Sequence, residues 1–415
     1  MKPVADSVSC NNRPGRRAFL RSLSCAAAAV AVRPPVLRAS GAPVSIVAGG
    51  DAIITRPLRS VADPGVTELL ALIRSADVGF ANCEMTFHRY EGYPGPTGAC
   101  GDLNLVADPA LTAELRWGGF NLVTLANNHA LDYGHDGLLA TIRYLREARI
   151  QMAGAGANLS LARQPAYLDT AHGRVALVAC ASTFRPGSEA SRGHDEIAGR
   201  PGVSPLRVTA GAAEAHASDV AAITAQITRA RAEADVVLVT IHAHERGNTR
   251  EIPAPFLQPF ARACVDAGAH AFLGHGPHVI RALEIYKEAP IFYSLGNLFF
   301  QAETIQQIPQ EIYDTCELSS HSPSDFFAKV MGRMFEADVY WEAVVPRMQF
   351  RNGRLELLTL YPVDLSRHLP PTRRGTPAIA KGPVALLVLQ RQQALSLPFG
   401  TRIDIDSGVG TVRLG

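Results

Sequence analysis

Short apolar runs alternate with stretches of helical periodicity along most of the chain. Residues 44–48 form a compact, β-branched run that ends in Gly49-Gly50-Asp51. Residues 66–74 have helical spacing, and residues 78–81 read as a buried strand ending at Asn82-Cys83-Glu84. A helix is predicted over residues 109–117, with Asp108 as N-cap and Pro109 in the first turn. A strand over residues 122–126 runs into Asn127-Asn128-His129, and helical spacing resumes over residues 137–149. After a strand at 175–180, the second half repeats the alternation: a long Ala-rich helix over 212–234, a β-branched strand over 236–241, a helix over 256–267 with Gly268 after it, and a short strand over 271–274. Strands at 280–286 and 291–294 close this part.

Strands alternating with helices imply an α/β layer fold. The pattern breaks over residues 301–338, which are polar and poorly periodic and read as an insertion or lid. Runs at 339–345 and 355–360 flank Asn352-Gly353, a strong hairpin turn signal. Residues 366–381 are rich in Pro, Arg and Thr and read as a surface linker, and the tail from Ala385 carries a helix and a final strand pair. The domain organisation expected is an N-terminal segment 1–42, a core 43–300, the insertion 301–338, and a hairpin and tail 339–415 that complete the same domain.

Composition changes the picture mainly at the N-terminus. The 415 residues carry 40 Lys/Arg and 38 Asp/Glu, a net charge of +2, which argues against a nucleic-acid partner. Residues 1–42 hold seven of the bases and one acid, Asp6, so the remainder is slightly acidic. Arg16-Arg17 within Gly15–Arg21, ahead of the apolar stretch 26–32, reads as a twin-arginine export signal, with Ala39–Ala42 as the cleavage region. That route implies the twin-arginine translocase as a partner, a periplasmic or cell-envelope location, and cargo that folds before export. Seven cysteines are scattered without a CxxC pair, which argues against a zinc ribbon. Cys83–Cys100 is the disulfide to test, against the simpler expectation of buried free thiols.

The chemistry-bearing residues share one context: each stands just past the end of a predicted strand. They are Asp51, Glu84, Asn128 with His129, His242 with His244 and Glu245, and His275 with His278. In open α/β sheets functional groups collect outside the carboxyl ends of the strands, so one rim can gather carboxylates, an amide and imidazoles. Oxygen and imidazole donors suit Zn²⁺, Mn²⁺ or Fe. Asp132 stands three residues beyond His129, placed to orient its ring. Gly276-Pro277 is a rigid turn that aims His275 and His278 to one side.

Five stretches, Gly49-Gly50-Asp51, Asn82-Cys83-Glu84, Ala126–Gly134, Gly274–Val279 and Pro290–Asn297, in this order, resemble the CapA family of poly-γ-glutamate capsule synthesis proteins. The fold of that family resembles calcineurin-like metallophosphoesterases. The resemblance implies a four-layer α/β/β/α sandwich. It implies that Asp51, Glu84, Asn128, His242, His275 and His278 hold one or two divalent metal ions. His129 would be the general acid, oriented by Asp132, and His244 and Glu245 would contact substrate. The chain departs from the phosphoesterase pattern at three points: Ile53 stands where a His follows the first Asp, Glu84 replaces the bridging Asp, and two residues rather than one separate His275 from His278. The function expected is a metal-dependent hydrolase of the cell envelope acting on a phosphoester or an anionic polymer, alongside membrane-bound capsule synthesis subunits. Two rival expectations stand beside it: a non-catalytic polyanion-binding or export subunit, and a metal-independent acid/base enzyme acting at a peptide Cα.

Overall fold

The computed structural model describes residues 41–96, 99–332 and 335–414. The export signal expected over residues 1–42 lies outside the described residues but for its last two positions. No helix among the described residues is long and apolar enough to cross a membrane.

Two mixed sheets form the centre. In the first, the parallel strands Val44–Ile53, Val78–Cys83, Phe120–Thr124 and Gln151–Ala153 lie side by side. The antiparallel hairpin Glu342–Arg351 and Arg354–Asp364 extends this sheet beyond Val44–Ile53. The pair Ile403–Asp406 and Val409–Val412 forms its edge. In the second sheet the parallel strands Arg174–Ala181, Val236–His242, Ala271–His275 and Ala289–Phe292 are flanked by Ala166–Asp169 and Leu283–Tyr286. The fully buried patterns of Val78–Cys83 and Val236–His242 follow from having a packed layer on each face.

Three apolar cores separate four layers. One joins Ile46, Ala48, Phe80 and Leu122 of the first sheet to Leu177, Leu238 and Leu273 of the second. Alternate residues of the same strands face outward: Val47, Ala81 and Val123 meet the helices Pro64–Arg74, Ala110–Gly118 and Gly134–Glu147. On the far side Val178, Val237 and Val239 meet Ala217–Glu233 and Leu257–Asp266. The strand period of two sends side chains alternately into two cores, and the result is an α/β/β/α sandwich. Helix Gly382–Ser396 adds Val388 and Leu389 to the core between the sheets.

Local signals account for most boundaries. Asp63 accepts from the backbone of Gly65 (2.8 Å) and Val66 (3.1 Å), and Pro64 begins that helix. Asn352 and Gly353 have φ of 51° and 76°, the mirror-image turn that a two-residue hairpin needs. The helices expected up to residue 267 each shift by a few residues at an end, and two of the shifts show their cause. The helix expected from 109 begins at Ala110, although Asp108 still accepts from its first backbone N–H at 2.8 Å. The Ala-rich helix begins at Ala217 because Gly211, at φ 73°, ends a separate short turn.

The disulfide differs too. Cys100 pairs with Cys316, while Cys83 is a buried free thiol together with Cys180 and Cys264. Cys83 ends a central strand and packs into the core, and Cys100 is taken by Cys316. The bridge spans 216 residues of sequence and ties that loop to the segment after helix Gln310–Thr315. Loss of a cross-link over so long a loop typically costs about 2–4 kcal/mol. Cys316→Ser is therefore expected to lower the melting temperature and to speed protease cleavage within residues 301–338. Equal cleavage rates with and without reductant in the parent protein would contradict a holding role for the bridge.

Candidate metal centre

Strand register brings the site together. In the first sheet Asp51 lies opposite Asn82 on one side and Asn297 on the other. In the second, His242 lies beside His275. These are the carboxyl ends of parallel strands, where backbone pairing stops and side chains are free to converge. Gly50 permits the approach of the loop before Asn297, since a Cβ there would stand 1.9 Å from the Gly296 carbonyl oxygen. Beyond His275 the chain turns through Gly276 at φ 116° and His278 at φ 60°. The left-handed conformation at His278 is one a non-glycine residue adopts at a cost, held here by its surroundings.

Asp51 is buried and stands at the centre. It accepts from Asn82 Nδ2 (2.8 Å) in its own sheet and from the Gly276 backbone N–H (3.0 Å) in the other. Its oxygens lie 3.3 Å from His278 Nδ1, 3.6 Å from His275 Nδ1 and 3.8 Å from His242 Nδ1. His242 bridges the neighbours, with Nδ1 3.0 Å from His275 Nδ1 and Nε2 2.9 Å from His244 Nε2. Two triads result, Asp51–His242–His275 and Glu84–His244–His278, each with ligand atoms within 4.8 Å of one another.

The hydrogen-bond partners fix which ring nitrogens are bare. The Thr240 hydroxyl donates to the Leu273 carbonyl (2.8 Å), so it accepts from His275 Nε2 (2.7 Å) and leaves His275 Nδ1 as a lone pair facing Asp51. Asn297 Nδ2 donates to the Tyr340 carbonyl (2.8 Å), so its Oδ1 accepts from His278 Nδ1 (2.8 Å) and leaves His278 Nε2 as a lone pair 3.8 Å from Glu84. Such outer partners set ring orientation and tautomer at metal sites. Glu84 is buried, and neither of its oxygens accepts a hydrogen bond from the described residues. A buried carboxylate without a donor is costly, and an adjacent cation removes that cost. The donor set of oxygens and imidazoles fits one or two borderline divalent ions such as Zn²⁺, Mn²⁺ or Fe²⁺.

The electrostatics agree. Burial, then the neighbouring Asp51 carboxylate, pushes Glu84 well above the usual carboxylate range. Burial would also raise Asp51. The hydrogen-bonding contact with His278 and the fields of His278, His242 and His275 together outweigh it and hold Asp51 below that range. Burial lowers His275 to about 4. Burial and then His278 lower His244 to about 3, and burial and then His244 hold His242 well below the ordinary value. His242, His244 and His275 are thus neutral near pH 7, the form that binds metal.

A cavity of about 340 Å³ opens beside the second triad, lined by Asn128, His129, His244 and His278 on its polar side and by Ile53, Phe300 and Phe335 on its apolar side. His129 Nδ1 pairs with Asp132 Oδ2 at 2.6 Å. Asp132 also accepts from the Leu105 backbone (2.6 Å) and meets Arg185 at 3.2 Å. Asn128 lines the cavity with its Oδ1 buried and unpartnered among the described residues, but is not hydrogen-bonded to either triad. His244, expected to touch substrate, lines the cavity and also stands among the potential ligands of the second triad. Glu245 is drawn elsewhere: its carboxylate accepts from the hydroxyls of Ser182 (2.8 Å) and Thr183 (2.9 Å), which makes it a brace for the loop after the strand. Ile53, at the position where the resemblance leads one to expect a histidine, contributes to the apolar wall.

Sequence reading passed over the supports. Asn127 Nδ2 donates to Asn82 Oδ1 (3.0 Å), and Asn82 in turn donates to Asp51. Asn297 and Thr240 orient His278 and His275 as described. Asn82 and Asn297 each stand at a strand end inside a quoted motif, so the signal was present; what they bond to is set by neighbouring strands.

The pH dependence of the metal-free protein follows. His242, His244 and His275 are neutral in the fold but titrate near pH 6.5 when unfolded. Their contribution to stability is full above that value and is lost as pH falls toward the lowered folded values. Glu84 acts in the opposite sense, its contribution being full below about pH 4.5 and lost as pH rises through its raised folded value. Three rings outweigh one carboxyl. Differential scanning fluorimetry in chelator is expected to show the melting temperature rising from pH 4 to pH 6.5, more steeply in Glu84→Gln. A flat or falling trend would contradict this reading of the cluster.

Relatives support the reading of the motifs. Residues 45–302 match the bacterial capsule synthesis protein family PGA_cap. The uncharacterized protein y4sH of Sinorhizobium fredii is 35% identical over 430 aligned positions, covering 89% of this chain and 93% of that protein. The capsule biosynthesis protein CapA of Bacillus anthracis is 32% identical over 203 positions, covering 48% of this chain and 44% of that one. A probable polyglutamine synthesis accessory protein of Mycobacterium tuberculosis is 35% identical over 243 positions, covering 57% and 60%. Among solved structures, a hypothetical protein from Thermus thermophilus aligns with a TM-score of 0.42 at 15% identity, over 77% of this chain and 99% of that chain. The NAD nucleotidase of Haemophilus influenzae aligns with a TM-score of 0.33 at 11% identity, over 84% and 62%. With more than half its length matched, and in the order of motifs read from the sequence, the chain belongs to the bacterial capsule synthesis protein PGA_cap family.

Proposed function

We propose that the protein is a metal-dependent hydrolase of the cell envelope, exported by the twin-arginine route, that acts on a phosphoester or an anionic capsule polymer together with membrane-bound capsule synthesis subunits. The observation that supports the hydrolase reading is the pair of triads beside the cavity, where Glu84 has no hydrogen-bond donor among the described residues and His275 Nδ1 and His278 Nε2 face the carboxylates of Asp51 and Glu84. Asp51, His242 and His275 would hold one divalent ion, and Glu84, His244 and His278 another. Ions held there supply Lewis-acid chemistry, lowering the pKa of water and polarising an anionic oxygen.

The chain's own groups do the rest. His129 lines the cavity, and its Nδ1 is committed to Asp132. Its Nε2 is therefore the position from which a proton is given to a leaving group or taken back. Asp132 holds the ring's tautomer and is itself pinned by the Leu105 N–H and Arg185. The apolar wall of Ile53, Phe300 and Phe335 excludes water and raises the strength of the charges opposite. The disulfide agrees with an oxidising compartment.

Elemental analysis of the purified protein, with Asp51→Ala and His278→Ala, tests this reading. About two equivalents of a transition metal are expected in the parent, with loss in both variants. His129→Ala should keep its metal while losing about 10²–10⁴-fold in turnover of a phosphoester probe. A metal-free parent with turnover that survives chelation would favour acid/base chemistry without metal. A metal-free parent that only binds polyanion, more weakly as salt rises, would favour a binding subunit.

A further inference from the structure

Two cations line the cavity above the triads, Arg185 and Arg250, and their circumstances differ. Arg185 is committed: it pairs with Asp132 and donates to the Leu103 carbonyl at 3.0 Å. The guanidinium of Arg250 makes no ion pair and no hydrogen bond among the described residues; it lies 5.4 Å from the centre of the Tyr340 ring. The acid lining this cavity, Asp102, accepts from the Ala99 backbone in its own loop at 3.1 Å. Arg250 thus offers a full set of donors beside the metal ligands His244 and His278, in a half-buried position.

The backbone at Arg250 is held with unusual care. Arg281 is fully buried, donates from Nε to the Arg250 carbonyl (2.8 Å) and from Nη2 to the Glu245 carbonyl (2.9 Å), and so grips both ends of the loop 245–250. Within that loop the Gly247 N–H donates to the Ile252 carbonyl at 2.8 Å. Burying a guanidinium is expensive. Here it fixes the backbone of a second arginine whose guanidinium has no ion pair or hydrogen bond among the described residues. A planar fork with free donors fits the paired oxygens of a carboxylate or a phosphate.

We propose that Arg250 is the anion-recognition residue of the cavity, holding a carboxylate or phosphate group of the substrate beside the metal triads. The proposal rests on the hydrolase reading for its setting, but its contact does not pass through the metal.

Equilibrium binding of inorganic phosphate and of γ-linked triglutamate to the Mn²⁺-loaded protein tests it. Arg250→Gln is expected to weaken the probe that the site accepts by about tenfold or more, the scale of a lost charge-assisted hydrogen bond. Arg250→Lys should weaken it less, since it keeps the charge and loses the fork. Mn²⁺ content should be unchanged in both variants. An effect on phosphate alone supports the proposal with a phosphate group, and an effect on triglutamate alone supports it with a carboxylate. Unchanged affinities in a variant that keeps its metal overturn it, as does a parent protein that binds neither probe at millimolar concentration. If the parent binds no Mn²⁺, it is the metal reading that fails. The same titration on metal-free protein then decides Arg250 by the presence or absence of the tenfold loss.

Discussion

One buried carboxylate joins the two sheets at their working ends. Asp51 belongs to the first sheet, yet it accepts from a backbone N–H of the second and faces three of its imidazoles. A charge in this position is tolerable only because donors reach it from both layers. Asn82 is one such donor, and Asn127 holds Asn82 in turn. The distance between the sheets, set by Ile46, Phe80, Leu177 and Leu238 in the core between them, therefore also sets how closely the residues of the two triads approach. Packing and the geometry of the triads are the same constraint seen from two sides.

The walls of the cavity come from chain segments far apart in sequence. Gly101 and Leu103 form part of one wall, and Ala302, Met331 and Phe335 form part of the other. The Cys100–Cys316 bridge joins the loops from which these walls are built. His278 sits between the polar floor and the apolar side, its ring 5.9 Å from that of Phe300 and 5.7 Å from that of Phe335. Apolar surroundings make each fixed charge count for more.

Periodicity and turn chemistry made much of this architecture legible beforehand. The alternation of runs around 44–48, 78–81, 236–241 and 271–274 marked the parallel strands, because a strand covered on both faces must be apolar throughout. Asn352-Gly353 marked the hairpin, because few residues tolerate its backbone angles. Placing Asp51, Glu84, His242, His275 and His278 at strand ends followed from the same pattern. The roles of His244 and Glu245 were less accessible. They are two and three residues past the same strand end, and nothing local says that one turns to the second triad while the other meets the Ser182 and Thr183 hydroxyls.

By itself, then, the chain's sequence determined its layers, its strand ends and which residue types crowd the rim, since these depend on local periodicity and on backbone conformations that few side chains allow. Only the tertiary structure decided which cysteine meets Cys100, which ring nitrogens face the carboxylates, and which cavity arginine has no ion pair or hydrogen bond among the described residues. Those outcomes depend on distances between segments as much as 216 residues apart. Such distances are fixed by how two whole sheets pack, and no short stretch of sequence carries them.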